Sequence, residues 1–192
     1  MSVVNEDIGA KTRPAVFLDR DGTLIEDRGH LRSAADVVFF PDTMGALWLL
    51  QQDYLLFIVS NQSGVAEGVL SAYEVDQVNG YVVEQLANAG VTVSEVYWCP
   101  HKRSDNCTCI KPNPYFLQRA AEKYDVDLSR SYTIGDHPHD VYLAKNAGAR
   151  GIYVLSGHGQ KHHRELIGDH PEVIGIAKAV EWIMHDPEDK TN

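Results

Sequence analysis

Residues 15–23 read AVFLDRDGT: four apolar residues, Ala15 to Leu18, run unbroken into the carboxylate of Asp19, and Gly22 follows. A short continuous apolar run closed by a turn signal is the pattern of a strand buried on both faces, as in a parallel sheet. Residues 55–64, LLFIVSNQSG, repeat it and end on Ser60 and Asn61. Val93–Cys99, Tyr132–Gly135 and Gly151–Leu155 read as three further strands. Helical patterning separates them, over Asp42–Gln52, Ser71–Ala89, Pro114–Tyr124 and His139–Asn146. Ser71 and Glu74 have the spacing of a capping box, and Gly90 and Gly148 stand as stop signals. Strand and helix alternate, so the chain is expected to be α/β, with a doubly wound, mainly parallel sheet and right-handed crossovers.

Composition narrows the partners. The 192 residues hold 17 Lys and Arg against 27 Asp and Glu, a net charge of −10. An acidic chain without a basic stripe is a poor match for nucleic acid or an anionic membrane surface. The longest apolar runs, such as Tyr54–Val59, fall far short of a bilayer span. The start has no apolar stretch of the kind a secretory signal needs, and the three cysteines crowd into residues 99–109 rather than forming a disulfide framework. The expectation is a cytoplasmic monomer acting on a small molecule. Residues 1–192 are read as one domain, with a core over about 14–160, a flap over 22–41 and a C-terminal helical segment over about 161–186. Met1–Arg13 and Asp186–Asn192 are read as frayed ends.

Open α/β sheets bind ligands beyond the carboxyl ends of their strands, so the residues following each strand carry the functional information. They are Asp19-Arg20-Asp21-Gly22-Thr23, Ser60-Asn61-Gln62-Ser63-Gly64, Lys111-Pro112 and Gly135-Asp136-His137-Pro138-His139-Asp140. Each set is weak alone: Asp125-Val126-Asp127 is an equally good D-x-D, read as a turn or helix cap. Their common placement at strand ends is what informs. In the same way His162, His163 and His170 are read as exposed residues of a polar helix, Trp48 and Trp182 as core, and Trp98 as packing beneath the cysteine loop. His30, in the flap, is a candidate for touching substrate.

The series DRDGT, SNQSG, KP and GDHPHD resembles the haloacid dehalogenase (HAD) superfamily of aspartate-nucleophile phosphohydrolases. The stretch CPHKRSDNCTCIKP resembles the subgroup that includes heptose-bisphosphate and histidinol-phosphate phosphatases. The resemblance implies a Mg²⁺-dependent phosphomonoesterase in which Asp19 attacks phosphorus and Asp21 is the general acid and base. Asp19, the Asp21 carbonyl and Asp136 would hold Mg²⁺, with Asp140 in support. Ser60, Asn61 and Lys111 would bind the phosphoryl oxygens. Cys99, His101, Cys107 and Cys109 form C-x-H-x5-C-x-C, four donors suited to a closed, tetrahedral, structural Zn²⁺ that pins the loop carrying Lys111.

Three positions depart from the heptose-bisphosphate pattern: Glu67 and Ile110 replace arginines, and His137 replaces a lysine; Tyr115 also replaces a glycine. Losing guanidinium contacts is expected to weaken recognition of a second phosphate. The leading expectation is therefore a phosphatase most like heptose 1,7-bisphosphate 7-phosphatase, with sugar or polyol monophosphates and histidinol phosphate as alternatives. A non-catalytic, zinc-stapled binding module is the alternative outside enzymology, opposed by the joint presence of Asp19, Asp21 and Asp136.

Overall fold

A computed structural model describes residues 12–186. Six parallel strands form one sheet: β1 (Ala15–Leu18), β2 (Leu55–Asn61), β3 (Glu95–Cys99), β4 (Tyr132–Gly135), β5 (Arg150–Val154) and β6 (Glu172–Val173). Their order is β3-β2-β1-β4-β5-β6. The helices are α1 (Thr43–Leu50), α2 (Ala72–Asn88), α3 (Tyr115–Tyr124), α4 (Pro138–Ala147), α5 (Gly159–His162) and α6 (Ile176–His185). The five expected strands and four expected helices are all present, and the doubly wound α/β expectation holds. Strand β6 was not foreseen: two residues carry no periodicity, and only pairing with Tyr153 and Val154 defines it.

Alternation along β1 divides the core. Val16 and Leu18 join Leu56, Ile58, Ile134 and Val154 on the face covered by α1, α2 and α6. Ala15 and Phe17 join Phe57, Val59 and Tyr97 on the face covered by α3, where Phe116 and Leu117 are buried. Residues successive in a strand point to opposite faces, so a two-layered cover requires the unbroken apolar run seen in the sequence. The capping box at Ser71 forms as read, with both the side-chain and the reciprocal backbone bond. Asp127 likewise caps a short 3-10 turn by accepting from Ser129 N–H.

Several sequence expectations are corrected. Trp48 is half exposed, because Thr43, Ala46, Leu47 and Leu50 already occupy the core-facing stripe of α1. Trp182 does pack against the core. Trp98 lies against α2, donating its indole N–H to Asp76, rather than lying beneath the cysteine loop. His162, His163 and His170 share no polar helix: the helix ends at His162, and His162 and His170 are half-buried. Residues 1–11 and 187–192, most of the expected frayed ends, lie outside the described residues. Arg13 and Asp186 are both held. Arg13 pairs with Val126, and buried Asp186 accepts from Arg150 Nη1 at 2.6 Å and Tyr132 Oη–H at 3.0 Å. Among the described residues no helix is long and apolar enough to cross a membrane.

Residues 22–41 fold back on the strand ends rather than forming a separate layer. Ile25 bridges Phe39, and Leu24, Ile25 and Leu31 are buried in the core on the α1–α2 side. The polar residues between them stay outside, and Asp27 reaches across to His158, Oδ2 to Nδ1 at 3.2 Å.

Candidate active site

Strand order reverses between β1 and β4, since β1 leads outward to β2 and β4 leads outward to β5. A crevice opens at such a switch point, beyond the carboxyl ends of the strands. Leu18 is in register with Ile134, and Asp19 N–H donates to Ile134 C=O at 2.9 Å. That register places Asp19 and Asp136 at neighbouring tips.

Lys111 enters from the loop after β3 and is only 4% exposed. Its ammonium donates to Asp19 Oδ1 at 2.5 Å, Asp140 Oδ1 at 2.6 Å and Val59 C=O at 2.9 Å. Three donors meet three acceptors, so the buried cation is fully satisfied. Its backbone N–H donates to Asn61 Oδ1 at 3.0 Å, which ties the loop to the end of β2. Burial works against charging Lys111, but Asp140 and Asp19 overcome this and hold it above the usual lysine range.

The carboxylates outnumber that cation. Burial pushes Asp19 well above the ordinary aspartate range; Lys111 opposes the shift, while Asp140, Asp136 and Asp21 add to it. Burial and the neighbouring Asp140 likewise push Asp136 up to about 7, against the His158 N–H that donates to it at 2.7 Å. Two glycines make room for this crowding. Gly22, at φ +87°, and Gly157, at φ +52°, both press against Asp136, and a Cβ on either would collide with its carboxylate.

Asp21 is held by residues that sequence reasoning passed over. Arg20, 1% exposed, donates from Nη2 to Asp21 Oδ2 at 2.8 Å and from Nε at 3.1 Å. Its Nη1 donates to Asn79 Oδ1 on α2 at 2.7 Å. Gln62 Nε2 donates to Asp21 Oδ2 at 2.9 Å and to Ser60 Oγ at 2.7 Å. A signal existed for Asn79, a polar residue within the buried stripe Val75, Val78, Val82 and Leu86 of α2.

The cysteine loop gathers as the spacing suggested. The ligand atoms of Cys99, His101, Cys107 and Cys109 all lie within 4.8 Å of one another. The sulfurs of Cys109 and Cys107 are 3.7 Å apart, those of Cys99 and Cys107 3.6 Å and those of Cys99 and Cys109 2.9 Å, and all three thiols are free. Tetrahedral thiolates on zinc stand about 3.8 Å apart for Zn–S bonds of about 2.3 Å. Two of the three sulfur spacings match and the Cys99–Cys109 pair would have to open by about 0.9 Å; three thiols and one imidazole are a four-donor set of the zinc type, with no open position. Asn113 Nδ2 donates to Cys107 C=O at 2.9 Å, linking the cluster to the chain just past Lys111.

Beside Asn61, a cavity of about 430 Å³ is lined by Ser63, Glu67, Lys102, Arg103, Ser104 and Ile110. Glu67 and Ile110, read from the sequence as standing in for arginines, thus share a cavity with two cations from the cysteine loop. Ile110 is 8% exposed and packs in the core on the α3 side. His30 is exposed on the flap, with its ring against Gly64.

Comparison with known proteins agrees with this geometry. Residues 108–179 match a family model described as "HAD-hyrolase-like". The D-glycero-D-manno-heptose-1,7-bisphosphate 7-phosphatase of Thermosynechococcus vestitus is 37% identical, over 89% of this chain and 95% of its own length. The chain belongs to the HAD superfamily of phosphatases. The Helicobacter pylori D-glycero-beta-D-manno-heptose-1,7-bisphosphate 7-phosphatase is 30% identical, over 90% of this chain and 98% of its own. Among solved structures, the D,D-heptose 1,7-bisphosphate phosphatase of B. bronchiseptica, complexed with magnesium and phosphate, superposes with a TM-score of 0.82. It is 28% identical and covers 89% of this chain and 98% of its own. This HAD protein is accordingly a phosphoric monoester hydrolase.

Proposed function

We propose that this HAD phosphatase hydrolyses a phosphorylated sugar through an aspartyl-phosphate on Asp19, with D-glycero-D-manno-heptose 1,7-bisphosphate as its substrate type. One observation carries the reading: Asp19 stands at the switch point within 2.5 Å of Lys111, and Asp21, two residues on, is clamped by Arg20 and Gln62. A nucleophile and a separately oriented acid are the two groups that this hydrolysis needs.

Asp19 attacks phosphorus while the ester P–O bond breaks, and Asp21 gives its proton to the departing alkoxide. Asp21 then takes a proton from water as that water attacks the aspartyl-phosphate, releasing phosphate and restoring Asp19. Ser60, Asn61 and the Lys111 ammonium bind the phosphoryl oxygens, the ammonium turning one of its three donors from Asp19 to the phosphate, and oppose the charge that develops on them. Arg20 and Gln62 position Asp21 through both steps.

Asp19, Asp136 and Asp140 against the single ammonium of Lys111 leave an excess of buried negative charge, which fits an oxygen-ligated dication. Asp19, the Asp21 carbonyl and Asp136 would hold Mg²⁺, with Asp140 supporting through Lys111. When bound, the ion offsets the repulsion between a phosphate dianion and the carboxylate nucleophile. Cys99, His101, Cys107 and Cys109 would hold a structural Zn²⁺, fixing the segment that presents Lys111.

Two features support the sugar bisphosphate: the names borne by the relatives, and the Lys102 and Arg103 cations in the cavity beside Asn61. The test compares kcat/KM for heptose 1,7-bisphosphate, sugar monophosphates and histidinol phosphate in wild type and Asp19→Asn. The bisphosphate is expected to lead, and Asp19→Asn to be inactive yet folded. A preference for histidinol phosphate would overturn the substrate; an active Asp19→Asn would overturn the mechanism.

A further inference from the structure

Beside Asp136 stands a group of side chains with no part in the proposed chemistry. His137 and His139 come from the start of α4, and His162 and Glu165 from the segment after β5. The His137 and His139 rings stack with centroids 4.3 Å apart and planes 6° apart. His162 closes on His137 from the other segment, with centroids 4.6 Å apart. Glu165 Oε1 lies 2.8 Å from His162 Nδ1. One ligand atom each from His137, His162 and Glu165 lies within 4.8 Å of the other two.

The geometry points to a second transition-metal site at His137, His162 and Glu165, one that takes Zn²⁺ or a similar divalent ion with water completing its coordination. Ligands at about 2.0–2.2 Å from a tetrahedral ion stand about 3.4 Å apart, so this set has to contract by about 1.4 Å at most, while His137 Nδ1 accepts from His139 N–H at 3.2 Å. Two imidazoles are borderline donors and, joined by one hard carboxylate, favour zinc-like ions over Mg²⁺, which prefers oxygen throughout. The site is separate from the cysteine loop and shares no ligand with the Asp19 and Asp136 carboxylates. Glu165 is 60% exposed and His162 20%, so the ion exchanges with solvent rather than being locked in.

The ligands come from the two segments that flank Asp136, and His158 N–H already ties the second segment to that carboxylate. A bound ion cross-links the two segments beside Asp136, and zinc is expected to act as a brake on turnover through that restraint. The braking rests on the assignment of Asp136 to the reaction centre; the binding does not.

Calorimetry tests the binding, with Zn²⁺ titrated in excess Mg²⁺ into protein whose cysteine loop is already loaded. Wild type is expected to take up one further equivalent. His162→Ala and Glu165→Gln should each weaken that uptake more than about tenfold, a loss of about 1.4 kcal/mol, while leaving Mg²⁺-supported turnover unchanged. Zinc inhibition of wild type should fall away in both variants. No additional equivalent, or equal uptake by wild type and both variants, would overturn the site. Uptake lost in the variants with inhibition unchanged would overturn the brake.

Discussion

Replacing Lys111 with methionine keeps the aliphatic stem and removes the ammonium alone. Three interactions go with it: 2.5 Å to Asp19, 2.6 Å to Asp140 and 2.9 Å to Val59 C=O. At 4% exposure, water cannot replace them without rearrangement. Removing one partner of a buried ion pair costs about 3–5 kcal/mol, and here two carboxylates lose the same partner, so the upper part of that range is expected. The pH dependence has a definite sign. Lys111 is the group that restrains the burial-driven rise of Asp19, and it also lowers Asp136, which stands at about 7 in the intact site. Without it both carboxyls shift further up. Buried carboxyls with raised pKa destabilise the fold while ionised and cease to do so once protonated. The loss is therefore larger at about pH 8 than at about pH 5, since toward lower pH the folded state takes up protons that the unfolded chain does not yet bind. Urea unfolding of both proteins at those two pH values, without divalent cations, measures it. Turnover should fall about 10²–10³-fold as a donor to the phosphoryl oxygens disappears. Its acid limb should move to higher pH, because less Asp19 is ionised. A variant as stable as wild type at about pH 8, or one within tenfold of its kcat/KM, would refute the account.

Arg20→Met should lower kcat about tenfold or more with little change in KM, since Asp21 loses its clamp but the phosphate site stays intact; steady-state kinetics decide it. The same change leaves Asn79 Oδ1 without its buried donor and should cost about 1.5–3 kcal/mol in chemical unfolding. Cys107→Ser, or a strong chelator, should release one Zn²⁺ per chain by elemental analysis and lower the Tm. It should also raise KM, because the loop that presents Lys111 loosens. Glu67→Arg should lower KM for the bisphosphate more than for monophosphates, with an advantage that shrinks in salt, as matched assays at low and high ionic strength would show.

Substrate charge shows where the structure changes the sequence reading. Taken one by one, Glu67, Ile110 and His137 read as lost cations. In three dimensions Glu67 and Ile110 share a cavity with Lys102 and Arg103, and His137 belongs to a cluster with His162 and Glu165. Charge at a site is a sum over space, which position-by-position comparison cannot evaluate. Likewise the D-x-D pair at Asp125 and Asp127 matches Asp19 and Asp21 in spacing, but it sits at a helix cap rather than a strand tip.

The sequence by itself determined five strands of the sheet, most of the helices and the motif residues. Each of these is written in local patterning: unbroken apolar runs for strands covered on both faces, 3.6-residue stripes for α2, a capping box at Ser71, and four zinc-type donors within residues 99–109. Only the tertiary structure decided how those residues are supported. Arg20 and Asn79, Asp136 and His158 N–H, and Lys111 with both Asp19 and Asp140 are partnerships between distant segments. Strand β6 exists for the same reason, and Trp48 is exposed because other residues of α1 had taken the core. Local patterning reflects steric and hydrogen-bonding preferences within a few residues. Which buried charge meets which, and how far its pKa moves, depends on the packing of the whole chain.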